Sequence, residues 1–160
     1  MRTRSETILL LEAHPYIRSQ YARVLNALGY WQLLYANYTE GAAVGNATAF
    51  DGVVAVWTDS AIAPERFARV VAYVTDLPRV RGALIVSPFT TAHNARLLAR
   101  SGARGWARPP VSYSELGARL ACLLHGDRRF SRCPEPKECF RRSEHDSGAG
   151  KLLEPGRVAS

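Results

Sequence analysis

Ionisable and hydroxyl side chains follow several of the short apolar runs in this sequence, and they have the chemistry that a site would need. Glu12 and His14 follow the first run, Asp59 lies shortly beyond another, and Ser87 directly follows a further one. A carboxylate can hold a hard cation or attack a phosphoryl group, and an imidazole can carry a proton. If the runs are parallel strands, their carboxyl ends meet at one edge of the sheet, where such folds place their sites.

The segments that must position these residues alternate between two patterns. Apolar runs too short for a helix predict strands, and between them apolar residues recur at helical spacing. Apolar strands that alternate with amphipathic helices predict an α/β fold, a doubly wound (βα)5 sandwich with a five-stranded parallel sheet. The predicted strands are Thr7–Leu11, Trp31–Ala36, Val53–Trp57, Ala83–Val86 and Arg104–Ala107, and the helices are predicted to begin near Pro15, Thr39, Pro64, Thr91 and Ser112, where Ser112 and Glu115 form a capping box.

Composition divides the 160-residue chain into two parts. Residues 1–126 have the balance of a globular domain, whereas residues 127–160 are rich in Pro, Gly, Ser and mixed charges, which predicts a mobile, disordered C-terminal tail. The net charge of +7 suits solubility and weak attraction to anions. No apolar run approaches the roughly 20 residues of a membrane span, and the three cysteines make no disulfide framework. We therefore expect a cytoplasmic protein that uses no membrane.

Five short landmarks run in order through residues 6–125. They are Leu10–Pro15, Phe50–Val56, Ser87, Gly102-Ala103 and Pro110–Leu116. Their order and spacing resemble those of a response-regulator receiver domain, the chemotaxis-regulator fold. The resemblance implies a flavodoxin-like receiver fold and a role in bacterial two-component signal transduction, in which a receiver accepts a phosphoryl group in a phosphorelay.

A working receiver of this family needs a particular set of residues. Two acidic residues after the first strand and a phosphoacceptor Asp after the third hold a divalent cation, and the Asp attacks the phosphoryl group. A hydroxyl after the fourth strand and a Lys after the fifth contact the phosphoryl oxygens. Carried over position by position, Glu12 keeps one acidic position and Ala13 replaces the other. Ser87 fits the hydroxyl, and Pro109 stands where the Lys belongs, since Pro110 fits the family's proline.

The acceptor position decides the chemistry. Five residues on from Asp51, as the family pattern counts, lies Val56, and a slip of one residue gives Trp57. Because neither side chain is a carboxylate, the resemblance implies a degenerate pseudo-receiver that keeps the fold and lacks the phosphoacceptor Asp. We expect no enzymatic activity and no bound metal or other cofactor. The function that follows is a phosphorylation-independent protein-interaction module.

The resemblance also places a candidate partner face. Receivers dock their partners on the fourth helix, the fifth strand and the fifth helix. Cations in this region favour an acidic partner protein, which the resemblance implies to be a histidine kinase, another regulator or a second copy of the chain. Trp106 has two interpretations, core packing or partner contact. The candidate face consists of Arg96, Arg100, Arg104, Trp106, Arg108 and Arg119.

Three other functions stay open at this point. One is an atypical response regulator that is phosphorylated at Asp59 or Glu12. Another is an accessory protein that binds nucleic acid through its Arg-rich surface and tail, although no helix-turn-helix or zinc-finger pattern follows the domain. The third is an enzyme or ligand-binding domain with a new site, which no Gly-x-Gly-x-x-Gly, Walker-type or Gly-x-Ser-x-Gly motif supports.

Overall fold

The computed structural model describes residues 4–58, 62–88 and 91–126. Strands and helices alternate along these ranges, and each strand is followed by one helix, as the sequence predicts. The strands are β1 (Arg4–Leu11), β2 (Tyr30–Ala36), β3 (Gly52–Val56), β4 (Ala83–Val86) and β5 (Gly105–Ala107). The helices are α1 (Pro15–Ala27), α2 (Gly41–Ala47), α3 (Pro64–Thr75), α4 (Ala92–Arg100) and α5 (Tyr113–His125).

The five strands form one sheet in the order β2-β1-β3-β4-β5, and every neighbouring pair is parallel. Side chains alternate across it, so that Ile8 and Leu10 pack with residues of α1 and α5, whereas Leu9 and Leu11 pack with residues of α3 and α4. Burial on both faces explains why the central strands are apolar throughout. The predicted doubly wound (βα)5 sandwich is confirmed.

Four strands differ from their predicted bounds. β1 begins three residues earlier, at Arg4, and β2 and β5 each begin one residue away from the prediction. β3 begins at Gly52 and ends at Val56, so Trp57, which its high β-sheet propensity placed in the strand, is the first residue beyond it. β2 lies at the edge of the sheet, and its Trp31 and Tyr35 side chains are 59% and 48% exposed, so this strand is less covered than the central ones. Its composition does not reveal this, because strand order depends on how the helical connections cross the sheet rather than on the strand itself.

The second helix begins later than predicted, at Gly41 instead of Thr39. The side-chain oxygen of Asn37 accepts hydrogen bonds from the backbone N–H groups of Thr39 and Glu40, both at 2.8 Å, which hold a turn ahead of the helix. A Cβ atom on Gly41 would lie 2.9 Å from Cδ2 of Leu11. A larger residue at Gly41 would therefore require the Leu11 side chain to shift.

The later helices begin at their predicted caps. The hydroxyl of Thr91 accepts the N–H of Asn94 at 3.1 Å, and the hydroxyl of Ser112 accepts the N–H of Glu115 at 3.1 Å. The Glu115 carboxylate accepts a hydrogen bond from Arg119 at 2.6 Å, one helical turn along. Within the described ranges, no helix combines the length and the apolarity that crossing a bilayer requires.

Candidate functional site

The first residues beyond three adjacent strands lie level at the carboxyl edge of the sheet. The N–H of Glu12 donates to the carbonyl of the last residue of β2 at 3.1 Å. In the same way, the N–H of Trp57 donates to the end of β4 at 2.9 Å, and that of Ser87 to the end of β5 at 3.0 Å. The sequence predicts a site at the carboxyl edge of the sheet, and the fold brings Glu12, Trp57 and Ser87 side by side at that edge.

Glu12 is fully buried, and its carboxylate is hydrogen-bonded within the protein. One oxygen accepts the backbone N–H of His14 at 2.9 Å, and the other accepts the hydroxyl of Thr58 at 2.7 Å. Burial raises the pKa of Glu12, and the hydrogen bonds from His14 and Thr58 offset part of this rise. Ala13 beside it has only a methyl group, which packs against the apolar core. Sequence reasoning did not identify Thr58 as the partner, since 46 residues separate it from Glu12.

The position after β3 holds an indole ring. Val56 lies within β3 and is paired with Val86, and its side chain belongs to the cluster on the α1 and α5 face. The first residue beyond β3 is Trp57, the one-residue alternative to Val56. The hydrogen-bond register puts Trp57 level with Ser87, and the sequence alone does not fix this register.

Trp57 belongs to an aromatic cluster with Phe67 and Tyr38. The rings of Trp57 and Phe67 are stacked, with centroids 6.1 Å apart and an interplanar angle of 20°. The ring of Tyr38 meets Phe67 edge-on at 5.2 Å, and its hydroxyl donates to the carbonyl of Val56. The indole nitrogen of Trp57 is buried and has no hydrogen-bond partner among the described residues. Packing of aromatic rings, rather than a nucleophile, thus occupies this part of the edge.

The remaining edge positions supply little for phosphoryl chemistry. Ser87 is fully buried. Pro109 and Pro110 follow β5 and are joined by a cis peptide bond. Residues 1–126 contain no lysine at all, so no other part of this domain can supply the missing ammonium group. Arg108, the first residue beyond β5, is exposed.

Metal ligands are equally sparse. Within residues 4–58, 62–88 and 91–126, no three His, Cys, Asp or Glu side chains come together as a metal site. Mg²⁺ binds through carboxylates and keeps several waters, and one carboxylate with both oxygens already hydrogen-bonded is a poor ligand set. Asp59, the alternative acceptor, lies outside the described residues, as does the predicted tail of residues 127–160.

The structure changes which residues of the candidate partner face are available to a partner. Trp106 is only 2% exposed and packs in the cluster with residues of α3 and α4, so it is a core residue and leaves the face. Its neighbour Ala107 points to the opposite side, as alternation along a strand requires. Arg100 lines the groove between α3 and α4, and the Arg119 side chain is 14% exposed because Glu115 holds it. Exposed cations of the predicted face are Arg96, Arg100, Arg104 and Arg108.

No protein-family model matches the chain, and no curated protein matches its sequence. Solved structures do match the fold. The receiver domain of a signal transduction histidine kinase from Syntrophus aciditrophicus has a TM-score of 0.64 at 17% identity, over 78% of this chain and 94% of that one. The chemotaxis protein CheY4 of Vibrio cholerae has a TM-score of 0.59 at 20% identity, over 74% of this chain and 98% of that one.

A third structure is the receiver domain of the sensor histidine kinase PA1611 from Pseudomonas aeruginosa, which has a magnesium ion coordinated in its active-site cleft. Its TM-score is 0.60 at 14% identity, over 74% of this chain and 97% of that one. At this level of identity the likeness concerns the fold. The chain therefore has the receiver fold that its landmarks predict, and what its own carboxyl edge does has to be argued from its residues.

Proposed function

We propose that this chain is a receiver-like protein-interaction module that acts in bacterial two-component-type signalling without being phosphorylated. The observation that carries the proposal is Trp57. It is the first residue beyond β3, next to Val56, and the family pattern would put the acceptor carboxylate at one of these two positions; its ring is stacked on Phe67. An indole cannot attack a phosphoryl group and supplies no oxygen to a cation.

The surroundings of Trp57 support the same conclusion. Acyl phosphate formation needs a carboxylate nucleophile, a cation that neutralises the transferred charge and a fixed positive group on the phosphoryl oxygens. Glu12 is buried, and each of its oxygens already accepts a hydrogen bond. Ala13 and Pro109 replace the second acid and the lysine. Each requirement is thus missing at a different position, and no single substitution repairs the site.

The module would present one constant surface. In receivers, an aromatic residue of the fifth strand moves with the hydroxyl residue of the fourth when the phosphoryl group binds. Here Trp106 and Ser87 are both buried, and no modification triggers a change. The exposed cations of the candidate partner face are Arg96, Arg100, Arg104 and Arg108, and they fit an acidic protein surface, as on a kinase, another regulator or a second copy.

A phosphodonor assay tests this proposal directly. The full chain is incubated with acetyl phosphate and Mg²⁺, and its intact mass is measured beside that of the triple variant Ala13→Asp, Trp57→Asp, Pro109→Lys. We expect no phosphoryl group on the wild-type chain and a base-labile acyl phosphate on the rebuilt variant, provided that circular dichroism shows it folded.

Incorporation into the wild-type chain would contradict the proposal. The Asp59→Asn and Glu12→Gln variants then locate the acceptor, because the label is lost from whichever variant lacks it. This outcome would establish the atypical phosphorylatable regulator instead. The wild-type result is informative even if the triple variant does not fold, since a known phosphorylatable receiver in the same reaction serves as the positive control.

A further inference from the structure

The edge strand β2 exposes large aromatic side chains. Trp31 is 59% and Tyr35 48% exposed, and both lie on alternate positions with Leu33, which packs in the cluster with α1 and α5. Four residues along a strand span roughly 13 Å at about 3.3 Å per residue, so the two rings are separate platforms along one line. Two large exposed rings on one line of an edge strand make this surface a candidate for an interaction site. We name Trp31, Leu33, Tyr35 and the neighbouring Arg18 the β2 surface.

The charge around the β2 surface has one sign. The guanidinium carbon of Arg18 lies 5.8 Å from the centroid of the Tyr35 ring, a cation–π distance. Residues 13–39 contain two Arg and no Asp or Glu. Of the nearest acids, Glu12 is buried, and Glu6 pairs with His125 at 3.0 Å. Glu40 turns back to the N–H of Asn37 at 3.4 Å.

The positive charge of the β2 surface and its two exposed rings together indicate which class of ligand it binds. A second copy of the chain that docked on the same surface by two-fold symmetry would place one positively charged surface against another, and like charges oppose that contact. An acidic protein would pair with the guanidinium groups but has no particular use for two separate ring faces. A single-stranded nucleic acid uses both features, because phosphates bind Arg and unpaired bases stack on aromatic rings.

We propose that the β2 surface binds single-stranded nucleic acid, with bases stacked on Trp31 and Tyr35 and a phosphate held by Arg18. The surface lies on the edge strand of the sheet, and the proposal does not rest on the interaction function proposed above. Stacking on rings tolerates any base, so binding depends on strandedness more than on sequence.

Fluorescence anisotropy of the full chain with fluorescein-labelled oligothymidylate and oligouridylate, about 15 nucleotides long, tests the proposal. We expect Trp31→Ala and Tyr35→Ala each to weaken binding by about 5- to 100-fold, as loss of one stacked base does. Affinity should fall between about 0.05 M and about 0.15 M salt. The two oligonucleotides show whether ribose or deoxyribose is preferred.

Matched controls separate this surface from the rest of the chain. Tyr73→Ala removes another exposed aromatic ring, on α3, and Arg96→Gln removes an exposed cation on α4; both should bind like the wild type. Trp31 is far more exposed than Trp106, and Trp57 is half-buried. Bound bases should therefore quench the emission of Trp31, and Trp31→Phe should keep most of the affinity and lose most of the quenching.

Three results would overturn the proposal. Wild-type affinity in the folded Trp31→Ala and Tyr35→Ala variants would place binding elsewhere, including on residues 127–160. Equal affinity for a duplex of the same length would exclude base stacking. A dimer by light scattering that Trp31→Ala disrupts, with no oligonucleotide binding, would identify a second copy as the occupant. The phosphodonor assay contains no oligonucleotide. A negative result in the binding experiment therefore says nothing about the proposed interaction function, which that assay tests independently.

Discussion

The interior of the sheet and its carboxyl edge differ in what they retain of a receiver. In the interior, β3 and β4 are buried along their whole length, and apolar clusters cover both faces. At the edge, the residues that follow the strands include Ala13, Trp57 and Pro109, and none of these three side chains is ionisable. The stability of a fold comes from many apolar positions together, whereas its chemistry depends on a few residues at one edge. The edge can therefore change without loss of the interior.

The aromatic cluster joins the two regions. Trp57 belongs to the edge by position and to the interior by packing, since its ring stacks on the fully buried Phe67. An ionised acceptor carboxylate at this position would have to face water or a cation to stay charged. An indole instead gains from contact with the core. Substitutions that separate core packing from edge chemistry therefore test the comparison.

Phe67→Ala should have the largest effect, because it removes the ring on which both Tyr38 and Trp57 pack. We expect the free energy of unfolding to fall by about 4 kcal/mol, as measured by urea denaturation. Tyr73→Ala on the same helix is the control. Because the Tyr73 ring is half-exposed, we expect this substitution to lower the free energy of unfolding far less. A loss of under about 1 kcal/mol for Phe67→Ala would mean that the cluster does not anchor α3 on the sheet.

Thr58→Val should come next, since it keeps the shape of the side chain and removes the donor to Glu12. One oxygen of the buried Glu12 carboxylate then loses the hydrogen bond that Thr58 donates. We expect a loss of about 2 kcal/mol in the free energy of unfolding, and Thr58→Ser, which keeps the hydroxyl, should recover most of it. If Val and Ser variants unfold alike, the hydrogen bond between Thr58 and Glu12 does not stabilise the edge.

Trp57→Phe tests the edge with a smaller change. The substitution removes the buried indole N–H, which has no partner among the described residues, and keeps an aromatic ring against Phe67. Relief of the unpaired donor offsets the lost contact area, so we expect the free energy of unfolding to change by less than about 1 kcal/mol. Calorimetric melting measures this, and a loss several times larger would show that the indole itself is required.

Glu12→Gln should remove a pH dependence. Burial raises the pKa of Glu12 in the folded chain above its ordinary value of 4.5, so the folded protein holds the proton more tightly than the unfolded chain does. The resulting stabilisation is complete below the unfolded pKa and is lost as pH rises through the folded pKa. Relative to Glu12→Gln, the wild type should therefore lose stability as pH rises above 4.5. Equal pH profiles from urea denaturation would contradict the raised pKa.

The sequence predicts the interior better than the edge, and the reasons are physical. Alternating apolar runs and caps such as Ser112 are local signals, and they predict the order of strands and helices. Which residue ends a strand depends on hydrogen bonds to a neighbour, so Val56 and Trp57 could be told apart only in the fold. The contact between Thr58 and Glu12 joins two residues that are distant in sequence, and no local sequence pattern predicts it.

The partner face shows the same limit on prediction. β5 has only three residues, and so short a run does not show which of its side chains face the core. Trp106 proves to point inward, whereas Trp31, in a run that also looked buried, points to water. The difference depends on the helix that covers β5 and on the edge position of β2, both of which arise from the whole topology.

Backbone amide spectra test the central claim most directly. Two-dimensional ¹H–¹⁵N spectra of the full chain are recorded with Mg²⁺ alone and with Mg²⁺ and acetyl phosphate, and the amides of Glu12, Thr58 and Ser87 report on the carboxyl edge. If the receiver fold persists without its phosphoryl chemistry, these signals keep their positions in every sample. Saturable shifts at these amides, accompanied by a stable phosphorylated species, would show that the edge still binds the cation and accepts the phosphoryl group.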